Sequence, residues 1–284
     1  MMAVPEVRCR GRRQLAGLRA IVTGGSSGVG RALALELARR GARVLATARR
    51  RERLDELARL GGSAAGIEHE AGDICDPAFR RQLVASAATR LGGIDLVVAA
   101  AGGGAVGGFR TARPETLIRI LDLDLVAPAE LVREALPHLA RGRDAAVVLV
   151  GSILGLHPLP LHAEYCAAKS GLRSLAGTLR LELASDGIGV LLATLGPIES
   201  EFWTVLMAGE RPGWSRGRGL SPDRAARAIL SGLERRKTEV VPGWQAKGYA
   251  WLSHWMPGLI DRWAAARWRT DASGTGATGE GHAR

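Results

Sequence analysis

The sequence predicts an α/β fold, a doubly wound parallel sheet with helices on both faces. Short apolar runs alternate with segments of helical spacing along most of the chain. That is the pattern of repeated strand–helix–strand units. The apolar runs carry few charges, as strands buried on both faces do. The length of 284 residues suits one large layered domain. Strand twist makes the crossovers right-handed, and ligands of such sheets bind beyond the carboxyl ends of the strands.

Ala20 to Thr23 reads as the first buried strand, and Gly28 to Arg40 as a helix with Leu33, Ala34 and Leu37 on one face. Arg43 to Ala48 is the second strand and Arg51 to Leu60 the second helix. A short strand, Ile67 to Ala71, leads to Asp73, and Pro77 to Leu91 is a helix with proline in its first turn. Ile94 to Ala101 is a strongly apolar strand. Pro114 to Leu139 reads as one long helix that Pro128 and Pro137 bend or end. Ala145 to Val150, His162 to Ser185 and Ile188 to Leu195 supply strand, helix and strand. After Ser200 the pattern breaks into a stretch of Trp, Gly, Pro and Arg with a short helix, through Gly219. Ser221-Pro222-Asp223 then starts a helix to about Arg236, with serine as N-cap and proline at the first helical position. Thr238 to Val241 forms a last strand.

The formal charge is +11, from three lysines and 36 arginines against 28 acids. The arginines are scattered over the predicted helices rather than massed in one stripe, which speaks against nucleic acid as a partner. A basic surface does suit an anionic, phosphate-bearing ligand. Cys9, Cys75 and Cys166 form no CxxC pair and no disulfide framework, as in a reducing compartment. The six histidines lack HxxxH or HExxH spacing, so no metal is expected. Met1 to Arg13 is basic without an apolar run, unlike a signal peptide. No apolar stretch approaches the roughly 20 residues that cross a bilayer. A cytoplasmic location is expected.

The first strand ends in Thr23-Gly24-Gly25-Ser26-Ser27-Gly28-Val29-Gly30 and runs directly into a helix. Backbone amides at a helix N-terminus attract phosphate, and glycines allow close approach. The context of strand, turn and helix fits a dinucleotide site, although the spacing TGxxxGxG differs from GxGxxG. No acid stands about 20 residues on, where a ribose 2′-hydroxyl would be bound. The second strand ends instead in Arg49-Arg50-Arg51. A guanidinium at Arg49 matches the 2′-phosphate of NADP in charge and geometry, which favours NADP over NAD.

Tyr165-Cys166-Ala167-Ala168-Lys169 places a tyrosine and a lysine four residues apart on one face of a predicted helix. A free tyrosine, with a pKa near roughly 10, transfers protons poorly at neutral pH. A neighbouring ammonium favours tyrosinate and brings the pKa toward working pH. Ser152 lies thirteen residues before Tyr165, just past a predicted strand.

In TGxxxGxG, YxxxK and their order, the chain resembles the short-chain dehydrogenase/reductase family, in its compact branch, over about 20 to 241. The resemblance implies a Rossmann-like fold and hydride transfer between a nicotinamide and a carbonyl or alcohol. It implies catalytic roles for Ser152, Tyr165 and Lys169. Ser152 would hydrogen-bond the substrate oxygen, Tyr165 would move the proton, and Lys169 would tune Tyr165 and bind the nicotinamide ribose. It further implies cofactor contacts at Gly24, Ser26, Ser27, Gly28, Val29 and Gly30, at Asp73 and Ile74 beside adenine, and at Ala101 and Gly102 beside the adenine ribose. Leu195-Gly196-Pro197-Ile198-Glu199-Ser200 resembles the family's PGxVxT segment, so Gly196, Ile198 and Ser200 join the cofactor set, with the Ile198 backbone holding the carboxamide and the Ser200 hydroxyl reaching the diphosphate or the amide. A homodimer or homotetramer built on the two longest helices is implied as well.

Two positions depart from the family pattern. Its NNAG appears as Ala99-Ala100-Ala101-Gly102, so neighbouring strands must be braced by other groups. The helix residue that is usually Asn appears as Asp124, which keeps a main-chain carbonyl for a proton relay but adds a carboxylate near Lys169. Asp124 is taken as a fourth catalytic residue.

The resemblance places substrate selectivity in Ile153 to Leu161 and the lid after Ser200. Those stretches hold Leu154, Leu156, Leu159, Leu161, Phe202, Trp203 and Leu206, which suits a hydrophobic ketone, aldehyde or alcohol. Five of the seven tryptophans lie between Trp244 and Trp268, among Lys247, Arg262, Arg267 and Arg269. This segment reads either as a peripheral membrane contact or as a helix that covers the pocket or a partner subunit. The expected organisation is a basic arm over 1–17, a dinucleotide-binding catalytic domain over 18–243 with a lid at about 199–220, a Trp-rich helical segment over 244–269 and a disordered tail over 270–284. The alternative function is a non-catalytic dinucleotide-binding sensor or scaffold.

Overall fold

The structure is a computed structural model that describes residues 11–62, 66–204, 206–211 and 219–274, with side chains through 266. Seven strands form one parallel sheet in the order β3-β2-β1-β4-β5-β6-β7. In chain order they are β1 (Arg19–Thr23), β2 (Arg43–Ala48), β3 (Ile67–Ala71), β4 (Leu96–Ala99), β5 (Ala146–Ser152), β6 (Gly189–Leu195) and β7 (Glu239–Val240). Helices α1 (Gly28–Arg39), α2 (Arg51–Leu60), α3 (Pro77–Leu91), α4 (Pro114–Leu121), α5 (Ala127–Leu139), α6 (Ala163–Glu182) and α7 (Pro222–Glu234) complete the layers. Two further helices, α8 (Trp244–Trp255) and α9 (Pro257–Gly274), follow the last strand.

Each strand offers alternate side chains to opposite faces, and the two sets build separate cores. Ala20, Val22, Val44, Ala46, Leu96 and Val98 pack with α1, α2 and α7. Ile21, Leu45, Val97, Val147 and Leu149 pack with α3, α5 and α6. Because both faces are covered, every residue of β4 is buried. At the amino ends of the strands, the fully buried Asp95 receives Arg19 Nε at 2.8 Å and Arg19 Nη2 at 2.7 Å. Burial pushes the Asp95 carboxyl up, but this fork and the backbone N–H groups of Arg143 and Arg19 outweigh it and hold it below the usual range.

Some elements differ from the sequence expectation. The strand foreseen from Ile94 to Ala101 is confined to Leu96–Ala99. The N–H groups of Ala100 and Ala101 donate to Thr23 Oγ1, at 3.0 and 2.9 Å, instead of extending the ladder. Thr23 therefore braces β1 against the end of β4 where the family pattern would offer asparagine side chains. The long helix foreseen from Pro114 to Leu139 is interrupted by a π-helical turn over Asp122–Val126. Pro128 has no N–H to offer the carbonyl of Asp124, and its ring crowds that carbonyl. The wide turn, with Ala127 N–H reaching back to the Asp122 carbonyl, relieves both problems.

Residues 11–17 lie against the domain: Arg13 and Leu15 are buried, and Arg13 N–H donates to the Glu234 carbonyl. Helix α9 reaches Gly274, inside the stretch expected to be a tail, while 275–284 fall outside the described residues. So do 1–10 and, within the expected lid, 205 and 212–218.

Candidate active site

The order of strands reverses beside β1, and the carboxyl ends of β1 and β4 open there on a cavity of about 410 Å³. The site residues foreseen from the sequence all line this one cavity: Gly24, Ser26, Ser27, Gly28, Val29, Gly30, Arg49, Asp73, Ile74, Ala101, Gly102, Asp124, Ser152, Tyr165, Lys169, Gly196, Ile198 and Ser200. They arrive from the carboxyl ends of six strands and from α6 and the π-helical turn.

The glycine turn is built for close approach. Gly24 and Gly28 have φ of +74° and +56°, in the left-handed region that favours glycine. A Cβ at Gly24 would lie 2.9 Å from the Ala100 carbonyl oxygen and the Ala101 nitrogen. A Cβ at Gly30 would collide with the Gly24 carbonyl oxygen, so α1 can start this close beneath the turn only with glycine there. Ser27, the N-cap of α1, makes no side-chain capping bond. Its hydroxyl instead accepts from Arg50 Nη2 at 2.9 Å, leaving the first-turn N–H groups without a side-chain cap.

Arg49 is exposed at the cavity rim, and its neighbour Arg50 has the structured role that the sequence reading did not assign. Arg50 bonds Ser26 Oγ and Ser27 Oγ and pairs at 2.8 Å with Glu201, within the stretch expected to be a lid. Its arginine context was legible in sequence. Its approach to the serines depends on how the β2–α2 turn lies over the β1–α1 turn.

Tyr165 and Lys169 stand one turn apart on α6, with Lys169 Nζ 5.6 Å from the centre of the tyrosine ring. Ser152 ends β5, and its hydroxyl accepts from Leu154 N–H at 3.2 Å. The loop after it is pressed on α6 at Gly155, where a Cβ would lie 2.6 Å from the Lys169 carbonyl oxygen. Asp124 is fully buried, and its Oδ1 sits 2.8 Å from Lys169 Nζ. The same carboxylate accepts from Gly103 N–H at 3.2 Å, while Lys169 also donates to the Val150 carbonyl at 3.1 Å.

This ion pair alters the expected electrostatics. Burial opposes the charge on Lys169, but Asp124 and then Tyr165 outweigh it, and Lys169 is held above its ordinary value. Burial pushes the Asp124 carboxyl up, against the pull of Lys169 and the Gly103 N–H. Lys169 acts on Tyr165 in the expected direction, but it does not set the net one. Burial raises the phenol, Lys169 lowers it, the Asp124 carboxylate raises it, and a hydrogen bond with Ser152 lowers it. Among the protein groups the net direction is upward, because burial, the largest influence, together with Asp124 outweighs the ammonium and Ser152.

Apolar side chains line part of the cavity, Phe202 among them beside Tyr165. Leu154, Leu159, Phe202 and Trp203 line it as foreseen, whereas Leu156, Leu161 and Leu206 do not. Phe202 meets Tyr165 edge-on, with ring centres 5.8 Å apart. His162, not singled out in the sequence, also lines the cavity, and burial pushes its imidazole down toward the neutral form. Leu161 just before it takes φ of +69°, with its carbonyl accepting from Gly107 N–H. Among the described residues no His, Cys, Asp and Glu side chains cluster as a metal site.

Comparison with known proteins agrees with the geometry. Residues 19–211 match the family model described as short chain dehydrogenase. The chain is 31% identical over 250 residues to hydroxysteroid 11-beta-dehydrogenase 1-like protein A of Xenopus laevis, covering 86% of this chain and 84% of that one. It is 37% identical over 201 residues to human dehydrogenase/reductase SDR family member 2, mitochondrial, covering 69% and 70%. It is 33% identical over 214 residues to the uncharacterized oxidoreductase YhxD of Bacillus subtilis, covering 73% and 69%. With the parallel sheet, the glycine turn and the Ser152–Tyr165–Lys169 cluster, these matches establish that the chain belongs to the short-chain dehydrogenase/reductase family of oxidoreductases.

Proposed function

We propose that the chain is an NADP-dependent oxidoreductase that interconverts a hydrophobic carbonyl compound and its alcohol. The observation that carries this reading is the convergence of Ser152, Tyr165 and Lys169 on the cavity that the glycine turn opens into. The residues present fit a dinucleotide. The uncapped first turn of α1 and the side-chain-free surface of Gly24 and Gly28 suit a diphosphate. Arg49 would take the 2′-phosphate, Asp73 and Ile74 the adenine, Ala101 and Gly102 its ribose, and Gly196, Ile198 and Ser200 the nicotinamide end.

Bound there, the cofactor supplies or accepts the hydride. The protein manages the proton and the charge on oxygen. In the reducing direction Ser152 donates a hydrogen bond to the carbonyl oxygen, on which negative charge grows. Tyr165 gives that oxygen its phenolic proton. Lys169, kept as an ammonium by Asp124, stabilises the phenolate left behind and hydrogen-bonds the nicotinamide ribose. In the oxidising direction Tyr165 takes the proton back. Leu154, Leu159, Phe202 and Trp203 exclude water and favour an apolar substrate.

The homodimer or homotetramer that the family implies would use α4, α5 with the π-helical turn between them, and α6, where Ile118, Val126 and Leu181 are exposed. One observation favours the non-catalytic alternative: the buried Asp124 carboxylate tempers the effect of Lys169 on Tyr165. A panel of carbonyl compounds and alcohols with NADPH and NADH, followed at the nicotinamide absorbance, separates the readings. Turnover is expected with apolar substrates and NADPH, and Tyr165→Phe is expected to lower it about 10²–10⁴-fold while NADPH binding persists. Normal turnover by Tyr165→Phe would refute the mechanism. NADPH binding without turnover of any substrate would favour a sensor.

A further inference from the structure

Helix α8 presents an aromatic stripe that the catalytic cavity does not use. Trp244, Trp251 and Trp255 are 81%, 59% and 66% exposed. At about 100° per residue their spacing confines them to about 40° of the helix circumference. The opposite side of α8 is anchored to the domain. Ala246 is buried against Gly196, where a glycine Cβ would come within 2.9 Å of it. Tyr249 Oη donates to the His157 carbonyl at 2.9 Å. The turn into α9 extends the patch through Met256, Leu259 and Trp263, each more than two-fifths exposed. Lys247 and Arg262 are exposed beside it. The only carboxylate among the described side chains of α8 and α9, Asp261, faces His157 at 2.9 Å.

We propose that this stripe docks on an anionic lipid surface, with α8 and α9 lying in the headgroup plane. Tryptophan suits that depth because its ring is apolar and its N–H is polar. No helix among the described residues is long and apolar enough to cross a membrane, so a surface-lying geometry is the one available to this pair. Charge selects lipid over a second copy of the chain. Self-association through this face would bring Lys247 and Arg262 of two copies to one contact, with no described carboxylate of α8 or α9 but Asp261 to offset them. Anionic headgroups complement the same cations. Gly196 lines the cavity, and His157 belongs to the loop that also carries the lining residues Leu154 and Leu159. Docking therefore sets α8 between the lipid and this part of the cavity wall. The inference rests on the surface of α8 and α9 and is independent of the catalytic reading.

The test uses the full chain and co-sedimentation with vesicles of phosphatidylcholine, alone or mixed with phosphatidylglycerol, at low and high salt. Gel filtration without vesicles runs alongside. Binding to the mixed vesicles, weakened by salt and accompanied by a blue shift of tryptophan emission, is expected. Combining Trp244→Ser, Trp251→Ser and Trp255→Ser should weaken partitioning at least about tenfold, a loss of about 1.4 kcal/mol or more, with thermal melting unchanged. Lys247→Gln with Arg262→Gln should weaken binding to the mixed vesicles selectively. Failure of the unaltered chain to bind the mixed vesicles, or equal pelleting of the triple variant, would overturn the proposal. A smaller oligomer in the triple variant would also overturn it, by assigning the stripe to a second copy. Each readout is independent of turnover, so failure here leaves the proposed oxidoreductase activity untouched.

Discussion

Replacing Asp124 by asparagine isolates the charge that sets this active site apart from the family pattern. The carboxylate lies 2.8 Å from Lys169 Nζ, and both side chains are buried. At that distance and an effective dielectric of about 20, the attraction is about 6 kcal/mol. Desolvation of the two ions costs several kcal/mol each and offsets most of it. Removing one partner of a buried pair typically costs about 3–5 kcal/mol. Asparagine still offers an oxygen to Lys169 and to Gly103 N–H, and it escapes the burial that pushes the Asp124 carboxyl up. The expected net loss near neutral pH is therefore about 1–3 kcal/mol.

The pH dependence gives the sign. With Asp124 present, Lys169 is raised above its ordinary value, so its contribution is full below the unfolded lysine pKa near 10.4 and fades as pH rises through the folded value. In Asp124→Asn the burial of Lys169 is no longer outweighed. Its folded value drops below the unfolded one, and the destabilisation fades as the ammonium loses its proton. The gap between the two proteins should be widest near neutrality and should narrow toward about pH 10. Urea unfolding at a series of pH values measures it without any substrate. Equal stability near pH 7, or a gap that widens with pH, would refute the ion-pair argument.

Two other substitutions probe the cofactor end. Arg49→Asp should weaken NADPH binding about 10–100-fold, the loss of one charge-assisted contact, and improve NADH binding, both measurable by nicotinamide fluorescence titration. An unchanged NADPH affinity would remove Arg49 from the 2′-phosphate site and direct attention to Arg50. Gly30→Ala forces a Cβ into the Gly24 carbonyl and should cost about 1–3 kcal/mol in thermal or urea unfolding, together with a loss of dinucleotide binding. A variant with ordinary stability and affinity would show that the turn can move aside.

Sequence alone determined the layer architecture, because strand and helix periodicities are local properties of the chain. Apolar runs such as Leu96–Ala99 and the turn Thr23–Gly30 carry their meaning in a few adjacent residues. The pairing of Tyr165 with Lys169 is equally local, since four residues make one helical turn. What joins distant segments was decided by tertiary structure. The brace from Thr23 to Ala100 and Ala101 crosses between two strands. Arg50 reaches Ser26 and Ser27 because two loops share one edge of the sheet. The direction of the Tyr165 shift changed for the same reason. Burial and the approach of Asp124, through a π-helical turn that accommodates Pro128, depend on how that helix packs against α6. Charge and hydrogen bonding act through space, and only the folded chain fixes those distances.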